Sequence, residues 1–119
     1  MPHLFLEYSA NLPTVKRELL NELHLKLAEF ETFKIQDMKS RAIPHEVFCL
    51  AEGNENRAFV HLQLAIMPGR SAELLRDASQ KLHEYLKAYF LPLSKGLVCS
   101  FSVEVRELAK DSYMKFTVE

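Results

Sequence analysis

The sequence predicts an α+β domain of 119 residues built from duplicated β-α-β units, with a four-stranded sheet carrying both helices on one face, plus short extra strands. Three observations lead there. Apolar residues alternate with polar ones in three separate stretches, which is the period of a two-faced strand. Two amphipathic stretches of helical period follow the first and second of these. The two parts of the chain, 1–55 and 56–119, also read as a pseudo-repeat within the single domain. Leu4-Phe5-Leu6-Glu7-Tyr8 aligns with Val60-His61-Leu62-Gln63-Leu64, and Arg17-Glu18-Leu19-Leu20 with Ala72-Glu73-Leu74-Leu75. Crossovers within one sheet are right-handed, so two successive units place both helices on the same side.

In the first strand, Leu4, Leu6 and Tyr8 alternate with His3, Phe5 and Glu7. Asn11 and Pro13 supply helix-start chemistry for a helix marked by Val15, Leu19, Leu23, Leu27 and Phe30. Residues 33–43 read as a second strand, which Pro44 interrupts. Residues 47–51 form a short apolar run, and 52–56 a turn. In the third strand, Val60, Leu62, Leu64 and Ile66 face one way, and Phe59, His61, Gln63 and Ala65 the other. The second helix starts near Ser71, is marked by Leu74, Leu75, Ala78, Leu82, Tyr85, Leu86 and Tyr89, and stops by Pro92. Cys99, Phe101, Val103 and Val105 then alternate with Ser100, Ser102, Glu104 and Arg106, and residues 113–118 suggest one more short strand.

Composition narrows the function. Fifteen Lys and Arg against sixteen Asp and Glu give a net charge of -1, so no basic field points to nucleic acid or an anionic membrane. The three glycines are scattered, which excludes a phosphate-cradling loop or a dinucleotide fingerprint. Cys49 and Cys99 have neither zinc-ligand nor redox spacing and read as reduced, buried and structural. No long apolar run or basic leader is present, so a cytoplasmic protein is expected. The helix-free sheet face, with His3, Phe5, Glu7, Phe59, His61, Gln63 and Phe101, is too apolar for plain solvent and too polar for a core, which predicts self-association.

The second residue carries the chemistry. Methionine is normally trimmed before a small residue, so the mature chain is expected to start with Pro2 and a free secondary amine. An α-amino group titrates at about 7.7 to 8.0, and desolvation or nearby cations lower that value, making a usable base at neutral pH. Pro2 leads straight into a strand and has no side-chain rotamers to order, whereas ordinary chain ends fray. Arg41 and Arg70 sit at loop positions where sheet meets helix and can face a common cleft. An isolated arginine is ordinarily a solvated surface charge, and Arg17, Arg57, Arg76 and Arg106 are read that way. His24, His45 and His83 lack metal-ligand spacing, and no metal site is expected. His3 and His61 fall on the uncovered face, where a hydrogen-bonded packing role is the plainer reading.

Pro2-His3 with Leu6-Glu7-Tyr8, Ser40-Arg41, Ala58-Phe59-Val60-His61 and Gly69-Arg70-Ser71, in this order over nearly the whole length, resemble the tautomerase superfamily and its 5-carboxymethyl-2-hydroxymuconate isomerase family. The resemblance implies a homotrimer, with Pro2 as the proton-transferring base and Arg41 and Arg70 as ligands for the carboxylates of a small-molecule substrate. It also implies a place in aromatic-compound catabolism, of the homoprotocatechuate-degrading kind. Enol-keto proton transfer needs one base of near-neutral pKa and fixed positive charge opposite the carboxylates, with no cofactor. A related decarboxylase or hydrating dehalogenase needs a further group to activate water, and no candidate stands out. Two β-α-β units with a bare sheet face also describe a ferredoxin-like binding or assembly module, for which Pro2 has no special role.

Overall fold

Alternation in the first strand sends Leu4, Leu6 and Tyr8 into the interior, each no more than 1% exposed, while His3, Phe5 and Glu7 stay half-exposed on the other face. This strand, β1 (His3–Ser9), lies inside the sheet. A computed structural model describes residues 1–119 and gives the remaining elements as α1 (Arg17–Ala28), β2 (Lys39–His45), β3 (Arg57–Ile66), α2 (Ala72–Phe90) and β4 (Val98–Glu107). The strand order is β2-β1-β3-β4, with β1 parallel to β2, β3 parallel to β4, and β1 antiparallel to β3. Each parallel pair encloses its helix, so the two expected β-α-β units are present.

One apolar cluster lies between the helices and the sheet. Leu19, Leu23 and Leu27 of α1 and Ala78, Leu82, Leu86 and Phe90 of α2 close over Leu4, Leu6 and Tyr8, together with Val60, Leu62, Leu64 and Ile66 of β3. Ser71 caps α2, its Oγ accepting the Leu74 N–H at 3.1 Å, with Glu73 in the first turn and Lys87 in the last where the helix dipole favours them. The start of α1 differs from expectation. Asn11 donates to the Arg57 carbonyl at 2.8 Å instead of capping, and the helix begins only at Arg17, after an extended Lys16. The buried Tyr8 hydroxyl accepts the Val15 N–H at 3.0 Å and sets the angle at which the chain approaches the helix.

Four further expectations are corrected. The second strand occupies 39–45, not 33–43. Phe33 turns into the core, a 3-10 turn covers Ile35–Asp37, and pairing begins only where Lys39 meets His3. Pro44 does not interrupt this strand but pairs within it opposite Tyr8, since an edge strand tolerates a missing N–H on its open side. Residues 113–118 are not a strand, and the apolar run 47–51 lies in the loop before β3. Val47, Met114, Phe116 and Val118 are almost fully exposed, and no strand of this chain lies beside them. Phe101 packs on the helix side, 6.2 Å from the Phe90 ring, so Ser100, Ser102, Glu104 and Arg106 take the open face. Both cysteines are free as expected, yet Cys49 is exposed in the loop before β3 and only Cys99 is half-buried.

Candidate active site

Pro2 is buried where β1 begins, and its carbonyl accepts the Lys39 N–H at 3.0 Å, extending the β1–β2 ladder to the start of the chain. The chain end is thus held by the sheet. The amine of Met1 lies well within reach of charge from several elements. It is held below its ordinary value of 8.0, first by burial and next by Arg70, with Lys115 and Lys39 acting the same way and Asp37 opposing. Arg70, Lys39 and the tail residue Lys115 therefore put positive charge around the first residues. Lys115 Nζ approaches the Met1 sulfur at 3.4 Å.

Arg70 follows Gly69, whose φ of 118° is a conformation that side chains with a Cβ rarely adopt. That turn directs the guanidinium onto the Phe33 ring, 4.5 Å from its centroid. Its Nε donates to Thr32 Oγ1 at 3.0 Å, Nη1 to the Met67 carbonyl at 3.0 Å and Nη2 to the Thr32 carbonyl at 3.2 Å. A guanidinium has five N–H donors, so one remains on each terminal nitrogen for an incoming anion. A locked planar fork of this kind suits a carboxylate.

Arg41 is placed differently. The register sets it opposite Phe5 on the open face, and its guanidinium lies 4.3 Å from the Phe5 ring centroid. Nη1 donates to His3 Nδ1 at 3.3 Å, and His3 Nε2 is 2.9 Å from the Tyr113 hydroxyl. His3 is kept below its ordinary value of 6.5, first by burial and then by Arg41, Lys39 and the terminal amine. Arg70 is thus among the charges acting on the Met1 amine, and Arg41 acts on His3. No surface cavity is lined by Pro2, Arg41 or Arg70. The largest, about 600 Å³, lies between α1 and β2 beside Arg17, Asn21, His24 and Ser40.

The four histidines other than His3 each have a partner. His24 Nε2 is hydrogen-bonded to Ser40 Oγ at 2.8 Å, and burial lowers its pKa. His83 Nε2 lies 3.2 Å from the Phe101 carbonyl. On the open face His45 donates to Glu7 at 2.7 Å, while His61 accepts from Ser102 at 2.6 Å and reaches Glu104 at 3.3 Å. Arg57, also read as solvated, is half-buried and paired with Glu52 at 3.2 Å. No group of three or more His, Cys, Asp or Glu side chains is gathered as a metal site would require. Sequence reasoning missed Thr32, Phe33 and the Met67 carbonyl, which fix Arg70, and Phe5, which carries Arg41.

A family profile described as 5-carboxymethyl-2-hydroxymuconate isomerase matches residues 2–118, beginning at Pro2. The chain belongs to that family. A 5-carboxymethyl-2-hydroxymuconate Delta-isomerase from Escherichia coli is 30% identical over 113 residues, covering 91% of this chain and 87% of the relative. The crystal structure of a 5-carboxymethyl-2-hydroxymuconate isomerase from Deinococcus radiodurans R1 superposes with a TM-score of 0.90 at 32% identity, covering 98% of this chain and 90% of that one. A fused 4-OT, described as a wild-type symmetric trimer, shares the fold at a TM-score of 0.70 and 15% identity, with 91% and 86% covered. Membership makes the chain an isomerase of the tautomerase superfamily, which separates it from a non-catalytic ferredoxin-like module.

Proposed function

We propose that this protein catalyses enol-keto tautomerisation of 5-carboxymethyl-2-hydroxymuconate or a similar unsaturated 2-hydroxy polycarboxylate, as a cytoplasmic homotrimer in aromatic-compound breakdown. Removal of Met1 frees the Pro2 nitrogen to act as base. The nitrogen takes the proton of the 2-hydroxyl, the C2–O bond becomes a carbonyl, and the electron pair moves along the conjugated chain. The protonated nitrogen returns the proton to the carbon where that pair arrives. Arg70 and Arg41 hold the carboxylates and offset the negative charge that develops in transit.

The observation that carries this reading is the convergence of Arg70, Lys39 and Lys115 on a buried chain start. Positive charge there lowers an amine's pKa and attracts an anionic substrate at once. The same family relatives carry the named isomerase activity. Trimerisation is supported by the open face, where Phe5, Ile43 and Phe59 stand among polar side chains, and by the lack of any cavity around Pro2 within one chain. An adjoining copy supplies the missing walls. No helix is long and apolar enough to cross a membrane.

The decisive measurement is the ultraviolet absorbance of a 2-hydroxymuconate-type dienol during ketonisation, with wild type beside Pro2→Ala, a change that still permits methionine removal. Wild type accelerates the reaction and the variant does not. Equal rates refute the reading, and the intact mass shows whether Met1 is present in the protein assayed.

A further inference from the structure

Arg41 needs an explanation that Arg70 does not. Arg70 is fixed by three hydrogen bonds, two to Thr32 and one to Met67, whereas the one side-chain hydrogen bond that Arg41 makes is donated to His3. A guanidinium carries donors only, so His3 Nδ1 must be the acceptor and bears no proton. The ring proton of neutral His3 is then on Nε2, where it donates to the Tyr113 hydroxyl at 2.9 Å. Phe5 completes the arrangement, with the His3 ring stacked at 6.1 Å and 20° and the Arg41 guanidinium over its face. The three side chains belong to two adjacent strands, while Tyr113 comes from the far end of the chain.

We propose that His3, held in its Nε2–H tautomer by Tyr113, is a positioning residue that aims the Arg41 guanidinium at a substrate carboxylate. The proposal rests on the isomerase reading for the identity of that carboxylate. Protonation of Nδ1 removes the acceptor and sets two cations side by side, so the aim is lost in acid. Lys39 and Arg41 face the ring from β2, Met1 with its amine and Glu7 lie on its own segment, and Tyr113 and Lys115 approach from the tail. Gln63 and Ala65 of β3 add no charge. Cations dominate this set, which favours the neutral ring. Carboxylate binding accordingly persists somewhat below the ordinary histidine range and falls as His3 takes up its proton.

The test measures kcat and KM from pH 5 to 8 for wild type, His3→Ala, His3→Asn and Tyr113→Phe. Loss of one hydrogen bond to a charged group predicts that His3→Ala raises KM about tenfold at neutral pH while kcat stays within about twofold. Asn places an oxygen near the position of Nδ1 and does not titrate. It should hold KM within about threefold of wild type and abolish the rise of KM in acid. Tyr113→Phe should raise KM by a smaller factor. Unchanged KM in His3→Ala, or an acid rise that persists in His3→Asn, overturns the proposal, and the second comparison serves if the alanine variant does not fold. Calorimetric binding of cis,cis-muconate separates this from failure of the isomerase reading. If wild type turns nothing over yet binds muconate about tenfold more tightly than His3→Ala, the isomerase reading fails and the positioning role stands. Equal binding, or none by wild type, ends the positioning role as well.

Discussion

Replacing Arg70 by Ala removes a guanidinium whose useful capacity can be counted. Three of its five N–H groups are committed to Thr32 and Met67, which leaves two for a carboxylate. At about 1.5 kcal/mol each, the lower end for hydrogen bonds to charged groups, two such bonds amount to about 3 kcal/mol, or roughly a 150-fold fall in kcat/KM. Arg70→Lys keeps a charge but loses the fork and its anchorage, so a loss of about 1.5 kcal/mol, roughly tenfold, is expected. The positive charge that depresses the Met1 amine should act in the same sense on a freed Pro2 nitrogen, so removing Arg70 should raise that pKa and move the acid limb of the rate profile to higher pH. The assay is steady-state ketonisation of the dienol across pH, with thermal melting as a check on folding. A kcat/KM for Arg70→Ala within about threefold of wild type, in a series where Pro2→Ala is inactive, would show that Arg70 does not hold the substrate. Full recovery in Arg70→Lys would keep the charge and discard the argument from the fork.

Phe59→Glu places a carboxylate on the open face beside Phe48 and His45, and sedimentation should show monomers in place of the trimers proposed for wild type, with activity lost in parallel. Tyr8→Phe strands the Val15 N–H at a buried ring and should lower stability by about 1 to 3 kcal/mol in urea titration, without altering kcat/KM in the folded protein. His24 has its pKa lowered by burial from 6.5, so the unfolded chain binds more protons just below that pH. Its contribution to stability is therefore complete above 6.5 and is lost as pH falls through the lower folded-state value. Thermal melts between pH 7.5 and 5 should show a steeper decline for wild type than for His24→Gln.

The sequence disclosed what depends on period and missed what depends on partners. Strands β1, β3 and β4 and helix α2 were legible because a two-faced strand and an amphipathic helix write their burial directly into residue order. Ser71 likewise announced the start of α2 through local capping. Strand β2 was misplaced because Phe33, although apolar, belongs to the core beneath Arg70, and because Pro44 is forbidden only where both sides of a strand are paired. Asn11 looked like a helix cap until β3 offered its side chain the Arg57 carbonyl. The tail kept its alternation yet found no strand of its own chain to lie against. Arg41 and Arg70 stood out by their positions between sheet and helix, and the family resemblance supplied their role. The side chains that orient them were not, since Phe5 and His3 meet Arg41 only through the β1–β2 register, and Tyr113 meets His3 across nearly the whole length of the chain.

The Pro2 carbonyl is hydrogen-bonded to the first residue of β2, and β1 is flanked by neighbours on both sides. With the nitrogen proposed as the base on the same residue as that carbonyl, the sheet itself serves as the handle that presents it. An affinity tag fused ahead of Pro2 would turn the proposed base into an amide while leaving the hydrogen bond to the Pro2 carbonyl in place. On the proposed mechanism such a preparation should melt like the native protein while being chemically silent, so a well-folded sample is no assurance of a working one.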